Sequence, residues 1–338
     1  MPQLRQDRFT KEWVFVATEY VKHPQDLIVK RTEKRLAAFD PYCPFCPGNE
    51  TQTPAEVLRV SSPSKCGWRV RVVPNKFTGL VADAGPGQTI KRFRRMVEGS
   101  GIYEVIVETP DHSLTTALLP EAHVASVLRA SKLRYDELSL DSRIAHATLF
   151  KNHGTEAGAT LEHSHCQLIA TPGISAQVSN RLQEARRRYD EFGKCIFCVV
   201  LEEELRVQTR IVMTTDHFVA LEPFASTTPF CTHIYPRRHM ANFAEISGDE
   251  INDLARILRR VLAKLYFGLE NPDFKYTLRT APVREAGMNY YHWYLNIVPC
   301  LTPQPSLEMR PGMFINTVLP EKAAEFLREV HVEQAIPA

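Results

Sequence analysis

Hydrophobic residues alternate with polar ones in many short runs of the chain, which is the pattern of half-buried β-strands. Runs rich in Val, Ile and Tyr predict strands at residues 13–17, 68–73, 103–107, 167–171, 210–214, 218–221, 232–235 and 294–298. Apolar spacing near 3.6 residues predicts long helices at 119–136, 179–192, 248–267 and 321–329. Because strands predominate and each half contains a long helix, we expect an α+β fold.

The densest group of reactive side chains lies between Leu161 and Ile169. It contains His163, His165 and Gln167 at alternating positions, followed by apolar residues. On a strand, these three side chains would share one face of the sheet. An imidazole titrates near neutral pH and can ligate a metal or attack phosphorus, so two of them can divide these roles. This segment is therefore the first candidate for catalysis.

Residue types that bind metals occur in the same order in two halves of the chain. Each half has a Cys-x-x-Cys pair, then a single histidine, then a histidine that opens an alternating apolar segment. The two sets are Cys43, Cys46, His112 and His163, and Cys195, Cys198, His239 and His292. A duplicated unit explains this order, since 51 residues separate the two histidines in the first set and 53 in the second. We predict domains at residues 1–178 and 179–338.

Length and composition fit a globular protein with two domains. The 338 residues exceed the usual limit of a single core, and 44% of them are hydrophobic. With 41 basic and 39 acidic side chains, the formal charge of +2 indicates no nucleic-acid or membrane partner. The arginine-rich stretch 181–188 falls between the halves, and we interpret it as a solvated helix face. Because an apolar signal segment is missing, we expect a cytoplasmic protein whose eight cysteines are thiols or metal ligands.

Each Cys-x-x-Cys pair, with its two distant histidines, predicts a structural zinc site. Zinc favours four tetrahedral thiolate and imidazole ligands, and a tight turn lets both cysteines reach one ion. A redox pair of the thioredoxin type would sit at a helix N-terminus after a strand, a setting not evident here. Zinc fingers that bind nucleic acid have histidines much closer to their cysteines. We therefore expect two Cys2His2 sites that tie distant segments together.

With His163 assigned to zinc, His165 is free to act as a nucleophile. Its attack on the α-phosphorus of a nucleoside diphosphate compound would form a phosphoramidate, while the Gln167 amide donates to a phosphoryl oxygen. The second half keeps its presumed ligand but has Tyr294 and Asn296 at the corresponding positions. A phenol with a pKa near 10 is a poor nucleophile at neutral pH, so we expect only the first half to be catalytic.

Together these motifs resemble the galactose-1-phosphate uridylyltransferase family of the histidine-triad superfamily. The resemblance rests on the His-x-His-x-Gln run, the segments 152–154 and 157–160, the upstream Cys-x-x-Cys and Asp111-His112-Ser113. It implies two tandem histidine-triad-like domains, each an antiparallel sheet with packed helices, in a homodimer. It also implies a ping-pong reaction through a nucleotidyl-histidine, with a nucleotide sugar and a sugar 1-phosphate or phosphate as substrates.

The resemblance further implies roles for individual residues. His165 matches the nucleophile and Gln167 the glutamine that holds the phosphoryl oxygens. The matching substrate-binding positions are Asn75 and Phe77 in the nucleotide pocket, Asn152 and Thr160 near the phosphates, and Glu308 at the hexose.

Several positions depart from the best-known members of that family. Ser164 and Cys166 replace a proline and a glycine, which is similar to the branch that includes plant ADP-glucose phosphorylase. The sequence therefore leaves open a uridylyltransferase acting on a hexose 1-phosphate, a nucleotide-sugar phosphorylase using inorganic phosphate, and a zinc-stabilised nucleotide-binding module without turnover. Hydrolytic histidine-triad proteins carry another histidine at the Gln167 position, so glutamine favours transfer to an acceptor other than water.

Overall fold

The computed structural model describes residues 3–16, 27–28, 36–62, 67–80, 88–91, 94–97, 99–285, 287–301, 308–309 and 313–332. The strands in this part of the chain are β1 (Gln3–Gln6), β2 (Trp13–Val16), β3 (Leu58–Ser61), β4 (Trp68–Pro74), β5 (Gln88–Lys91), β6 (Arg94–Val97), β7 (Ile102–Val107), β8 (His146–His153), β9 (His165–Thr171), β10 (Ile211–Thr214), β11 (Phe218–Leu221), β12 (Thr232–Pro236), β13 (Phe274–Arg279), β14 (Tyr294–Pro299), β15 (Glu308–Met309) and β16 (Met313–Asn316). The α-helices are α1 (Glu121–Ser139), α2 (Ala176–Phe192), α3 (Ile196–Val207), α4 (Gly248–Gly268) and α5 (Pro320–Glu329).

Ten strands form one antiparallel sheet that runs through both halves of the chain, in the order β10-β11-β12-β14-β13-β8-β9-β7-β4-β3. The central strands β8 and β13 pair with each other, and Phe150 lies opposite Thr277. Each half contributes five strands to this sheet. When these are counted along the chain, both halves have the same arrangement outward from the seam, namely the fourth, fifth, third, second and first strand. The predicted duplication is thus visible as a repeated strand order, and the α+β class is confirmed. The boundary at residue 178 stays a prediction.

One face of the sheet packs against α1 and α4. Cys166, Leu168 and Ala170 of β9 point to this side and belong to the largest apolar core. Helix α4 starts at a capping box in which Ser247 and Glu250 satisfy each other's backbone N–H groups. Each fully buried Leu or Ile on such a helix contributes about 1.5–3 kcal/mol, so the face that carries the helices is the stable platform of the molecule.

The opposite face carries the polar residues of the sheet. His165, Gln167 and Ile169 point to this side, because side chains alternate along β9. Over the second half of the sheet, α2 and α3 cover the face with an apolar cluster that includes Phe197 and Tyr294. Over the first half, the turn between Cys43 and Cys46 packs against Val105 and Val107.

Nine elements of the described chain were not predicted from the sequence, namely α3, β1, β3, β5, β6, β8, β13, β15 and β16. Helix α3 was not predicted, because its apolar start, Ile196-Phe197-Cys198-Val199-Val200, has no clear helical period. Strand β8 was not predicted, since Lys151 interrupts its apolar face, whereas β13 was missed although its residues alternate in burial along the whole strand. Cys195 is the N-cap of α3, so one Cys-x-x-Cys pair does sit at a helix N-terminus, but the element before it is α2 and not the strand expected of a redox pair.

A smaller sheet lies outside the main one, in the order β1-β2-β16-β15. It joins both ends of the chain, because β2 pairs in parallel with β16. Arg5 of β1 also forms an ion pair with Glu321 at the start of α5, with 3.0 Å between Nη1 and Oε1. Among the described residues, the structure has no helix that is both long and apolar enough to cross a membrane.

Candidate active site and metal centres

The four residues predicted as the first metal site lie together at one end of β9. The ligand atoms of Cys43, Cys46, His112 and His163 are all within 4.8 Å of one another, and all four side chains are buried. His163 Nδ1 is 3.5 Å from Cys43 Sγ and 3.6 Å from Cys46 Sγ, and His112 Nδ1 is 3.4 Å from Cys46 Sγ. The sheet thus brings side chains from three distant segments to one point.

Neighbouring groups hold these side chains in orientations suited to a metal. His163 Nε2 donates a hydrogen bond to the Thr109 carbonyl oxygen at 2.7 Å, which leaves Nδ1 unprotonated and directed at the thiols. The Asn49 side-chain amide donates to the Cys43 carbonyl oxygen at 2.8 Å and closes the Cys-x-x-Cys turn. Burial raises the pKa of Cys43 to about 11, so a thiolate here requires a cation beside it.

The distances fit a tetrahedral zinc ion. With Zn–S bonds of about 2.3 Å and Zn–N bonds of about 2.0–2.1 Å, a sulfur and a nitrogen on one ion lie about 3.5 Å apart. The three sulfur–nitrogen distances in the first cluster are 3.4–3.6 Å. The donor set and spacing are therefore those of a closed structural site with four protein ligands.

The second cluster repeats this geometry in the other half. The ligand atoms of Cys195, Cys198, His239 and His292 also lie within 4.8 Å of one another. Cys198 Sγ is 3.3 Å from His239 Nδ1 and 3.4 Å from His292 Nδ1. His239 Nε2 donates to the Met288 carbonyl oxygen at 2.8 Å, which again turns Nδ1 toward the thiols.

His165 has a different environment from its neighbour. His163 lies in the bend just before β9 rather than on the strand, whereas His165 is the first strand residue. The expected single strand face therefore holds His165 and Gln167 but not His163. His165 Nδ1 donates to the His163 carbonyl oxygen at 2.8 Å, so the lone pair is on Nε2. Burial lowers the pKa of His165, which favours the neutral, nucleophilic imidazole.

Gln167 follows His165 on the same face and is oriented by Tyr103 of β7. The Tyr103 hydroxyl donates to Gln167 Oε1, so the amide nitrogen of Gln167 keeps its donors for another partner. Tyr103 also interacts with the Asn75 side chain, which brings Asn75 to the same region. Together, the pair of His165 and Gln167 offers a nucleophilic nitrogen and an amide donor side by side.

A buried ion pair lies behind His165, on the other side of the strand. Lys151 Nζ is 2.8 Å from Glu108 Oε2, and both side chains are almost fully buried. The same ammonium donates to Ser164 Oγ at 2.8 Å and to the His165 carbonyl oxygen at 3.2 Å. Burial alone would raise the pKa of Glu108, but Lys151 and two hydroxyl donors, including Thr116, keep it lowered and the carboxylate charged. This network fixes the backbone that carries both histidines.

We expect Lys151→Met to destabilise the protein by about 3–5 kcal/mol, because it leaves the Glu108 carboxylate buried and unpaired. Urea unfolding measures this change in the free energy of unfolding. The double variant Lys151→Met/Glu108→Gln should recover part of the loss, since no charge remains unpaired. As a control, Lys322→Met removes an exposed pair with Glu325 and should change the free energy of unfolding far less. Equal effects of the two Lys variants would contradict a special role for the buried pair.

The remaining predicted substrate residues are less closely grouped. Asn75 accepts the Phe77 backbone N–H at 2.9 Å in a turn after β4, and the Phe77 ring is 87% exposed. Asn152 lies near the end of β8, one strand away from His165, and Thr160 is exposed in the following loop. Glu308 lies in β15 of the smaller sheet, and its side chain is outside the described part of the chain.

Sequence reasoning missed the residues that support the site. Tyr103, Glu108, Lys151 and the Thr109 carbonyl were not predicted to have a role. One signal was available for Lys151, because it falls in phase with Ala147 and Leu149 on the buried side of β8. A lysine at a core position of a strand requires a buried partner. For the Thr109 carbonyl the sequence has no signal, since any residue type supplies one.

Comparison with known proteins identifies the family. Residues 1–174 match the family described as galactose-1-phosphate uridyl transferase, N-terminal domain, and residues 146–302 match the corresponding C-terminal domain. The chain belongs to this family. The predicted nucleotidyltransferase enzyme class is therefore confirmed, as is the resemblance drawn from the motifs.

Individual relatives cover nearly the whole chain. The chain is 32% identical to ADP-glucose phosphorylase of Arabidopsis thaliana, over 97% of its own length and 93% of the relative. It is 31% identical to galactose-1-phosphate uridylyltransferase of Thermotoga maritima, over 98% and 100% of the two chains. The crystal structure of the A. thaliana ADP-glucose phosphorylase with bound ADP-glucose superposes with a TM-score of 0.82 at 30% identity, covering 98% and 99% of the chains.

Proposed function

We propose that this uridyl transferase family member moves a nucleoside monophosphate from a nucleotide sugar to an acceptor through a covalent bond to His165. The observation that carries the proposal is the hydrogen bond from His165 Nδ1 to the His163 carbonyl oxygen, 2.8 Å long. It fixes the tautomer so that the Nε2 lone pair is free, and the Gln167 amide lies on the same face. A nucleophile and a donor for developing negative charge are the two groups that this reaction needs.

The reaction has two substitutions at the same phosphorus. In the first, His165 Nε2 bonds to the α-phosphorus of the nucleotide sugar, and the bond to the bridging oxygen breaks to release a sugar 1-phosphate. In the second, a phosphate oxygen of the acceptor bonds to the same phosphorus, and the phosphorus–nitrogen bond breaks to return a neutral imidazole. The amide nitrogen of Gln167 donates to a non-bridging oxygen in both steps, because Tyr103 occupies its carbonyl oxygen.

The proposal includes the binding residues implied by the family. Asn75 and Phe77 line the nucleotide pocket, Asn152 and Thr160 contact the phosphates, and Glu308 contacts the sugar. The position of Asn75 beside Tyr103, which also contacts Gln167, and the exposure of the Phe77 ring support this arrangement.

We also propose zinc as the ion in both Cys2His2 clusters, supported by the sulfur–nitrogen distances near 3.5 Å. Bound zinc neutralises the thiolates and ties the Cys-x-x-Cys turn to the start of β9, while the chain's own side chains perform the chemistry. A homodimer in the cytoplasm is the remaining part of the proposal. Pairs of thiols kept as metal ligands fit that reducing compartment.

The acceptor is either a hexose 1-phosphate or inorganic phosphate. A uridylyltransferase acting on a hexose 1-phosphate fits the family as a whole, as in the T. maritima relative. A nucleotide-sugar phosphorylase is the second candidate, favoured by 32% identity to the A. thaliana ADP-glucose phosphorylase and by the His-Ser-His sequence. Both candidates use the same covalent intermediate and differ only in what attacks it.

Intact-protein mass spectrometry tests the proposal and separates these candidates. After exposure to UDP-glucose or ADP-glucose, we expect one added nucleoside monophosphate per chain, and the added mass identifies the base. The labelled protein is then offered galactose 1-phosphate, glucose 1-phosphate or inorganic phosphate, and the acceptor that removes the label is the substrate. Tight nucleotide binding with no added mass would instead indicate a binding module without turnover. Loss of the label to water alone would indicate a hydrolase.

A further inference from the structure

The second half of the sheet contains an altered copy of the catalytic site. On β14 and β13, Asn296 lies opposite Thr277 and Tyr294 lies opposite Arg279. On β9 and β8, Gln167 lies opposite Phe150, and two residues further in the same register His165 faces Asn152. Because the strand order is repeated, Arg279 takes the place that Asn152 has in the first half. A cationic side chain thus stands where the catalytic half has a neutral amide.

Arg279 has no carboxylate partner among the described residues. Its Nη1 donates to Gln177 Oε1 at 2.9 Å, while its Nε is buried without a hydrogen-bond partner. A second arginine, Arg181 of α2, likewise has a buried Nε and Nη1 without partners. The pKa of Arg279 is lowered by burial and also by the nearby charge of Arg181. Burial disfavours the charge of Arg181 as well, but the nearby Asp7 and Glu12 carboxylates help to raise its pKa. Within the described part of the chain, Arg279 is therefore the cation of the two that is left without a compensating anion.

Arg181 departs from the solvated helix face that the sequence predicted for residues 181–188. Arg186 and Arg187 are exposed, and Arg187 forms a 2.7 Å ion pair with Glu184. Arg181 instead turns toward the sheet, where the Tyr294 ring lies in its electrostatic field. The positive charge beneath α2 therefore results from the orientation of Arg181 toward the sheet, and not from the basic composition of the helix alone.

A cavity of about 440 Å³ adjoins Arg279 on the same face of the sheet. Hydroxyl groups and apolar side chains line it together, among them Thr148, Thr171, Ser175, Thr277, Ile169 and Val178. Its volume is within the range of sites for small molecules. Ile169 is four residues from His165 along β9, which corresponds to about 13 Å, so the cavity is separate from the nucleophile.

We propose that this cavity binds a small phosphate-bearing anion, either inorganic phosphate or a phosphate monoester, through the Arg279 guanidinium. The planar guanidinium presents paired N–H donors that match phosphate oxygens, and the Thr277 hydroxyl, two residues away on the same strand, supplies a further donor. Arg181 strengthens the positive potential from beneath α2. This second anion site does not depend on the proposed reaction at His165.

Equilibrium dialysis with labelled inorganic phosphate, glucose 1-phosphate and AMP tests the proposal. We expect Arg279→Gln to lower the affinity of one class of phosphate-binding site about ten- to a hundredfold, because charge-assisted hydrogen bonds are lost. The phosphate affinity of Arg279→Lys should lie between those of the wild type and Arg279→Gln, because lysine keeps the charge but lacks the planar pair of N–H donors. Arg186→Gln changes an exposed arginine on α2, the helix that carries Arg181, and its phosphate affinity should match that of the wild type. Nucleotidylation of the protein, measured by mass, should be unchanged in Arg279→Gln.

The three ligands distinguish the source of the phosphate. Equal affinities indicate a site for the free anion, whereas tighter binding of glucose 1-phosphate or AMP indicates a monoester, and each supports the proposal. If Arg279→Gln fails to fold, Thr277→Val removes only a hydroxyl of the same cavity and should weaken the same class of binding. Affinity and stoichiometry identical to the wild type in both variants would overturn it. So would a wild-type protein that binds none of the three ligands outside the His165 site.

Discussion

Replacing His165 with asparagine is expected to lower the rate of nucleotidyl transfer by a factor on the order of 10⁴ to 10⁶, the range seen when an essential member of a covalent mechanism is removed. Asparagine keeps a polar side chain of similar size at the start of β9 but has no nitrogen lone pair able to attack phosphorus. The covalent nucleotidyl-protein should therefore be missing from the mass spectrum. Nucleotide binding should persist, because the residues proposed to contact the base and phosphates are unchanged.

His217→Asn is the matched control, since His217 is an exposed histidine outside both clusters. It should form the covalent intermediate at the wild-type rate. The mechanism is wrong if the His165 variant still acquires the nucleotidyl mass. It is also wrong if both variants lose activity equally, because the effect would then not belong to this imidazole.

The sequence predicted the site better than it predicted the sheet. The order Cys-x-x-Cys, His, His occurs in both halves, and that repetition is enough to group eight ligands before any fold is known. The residues of each cluster meet in space because the strand order brings their separate segments to the same end of the sheet. The tautomer of His165, in contrast, depends on a backbone carbonyl and could not be read from side-chain identities.

The seam between the halves lay outside what the pattern could predict. Lys151 lies on the core face of β8 and weakens its alternation, while β13 alternates clearly, but the pairing and register of the two strands depend on contact with each other. The position of Arg279 opposite Tyr294 depends in the same way on the register between β13 and β14. Likewise, a lysine in β8 looks like a surface residue until Glu108 is placed beneath it. Contacts between residues far apart in sequence decided each of these features.

The two halves have diverged at the sheet face and not at the metal clusters. Both clusters keep four candidate metal ligands, while His165 and Gln167, the proposed nucleophile and amide donor, are replaced by Tyr294 and Asn296 in the second half. On the proposed mechanism, a cluster retained where this pair has been replaced serves the fold. Each cluster should then stabilise its own half, but only the first should influence catalysis, since only there does a candidate ligand precede the proposed nucleophile.

We therefore expect Cys46→Ser and Cys198→Ser each to remove one of two zinc ions per chain, measured by mass spectrometry of the metal. Each should lower the free energy of unfolding by several kcal/mol. The upper limit is the free energy of zinc binding in isolated zinc fingers, about 10–16 kcal/mol. Cys46→Ser should also slow nucleotidylation, because His163 supplies the carbonyl that orients His165. Cys198→Ser protein that has folded should be nucleotidylated at the wild-type rate. Cys300→Ser, outside both clusters, is the control, and a protein that retains both zinc ions in either cluster variant would contradict these assignments.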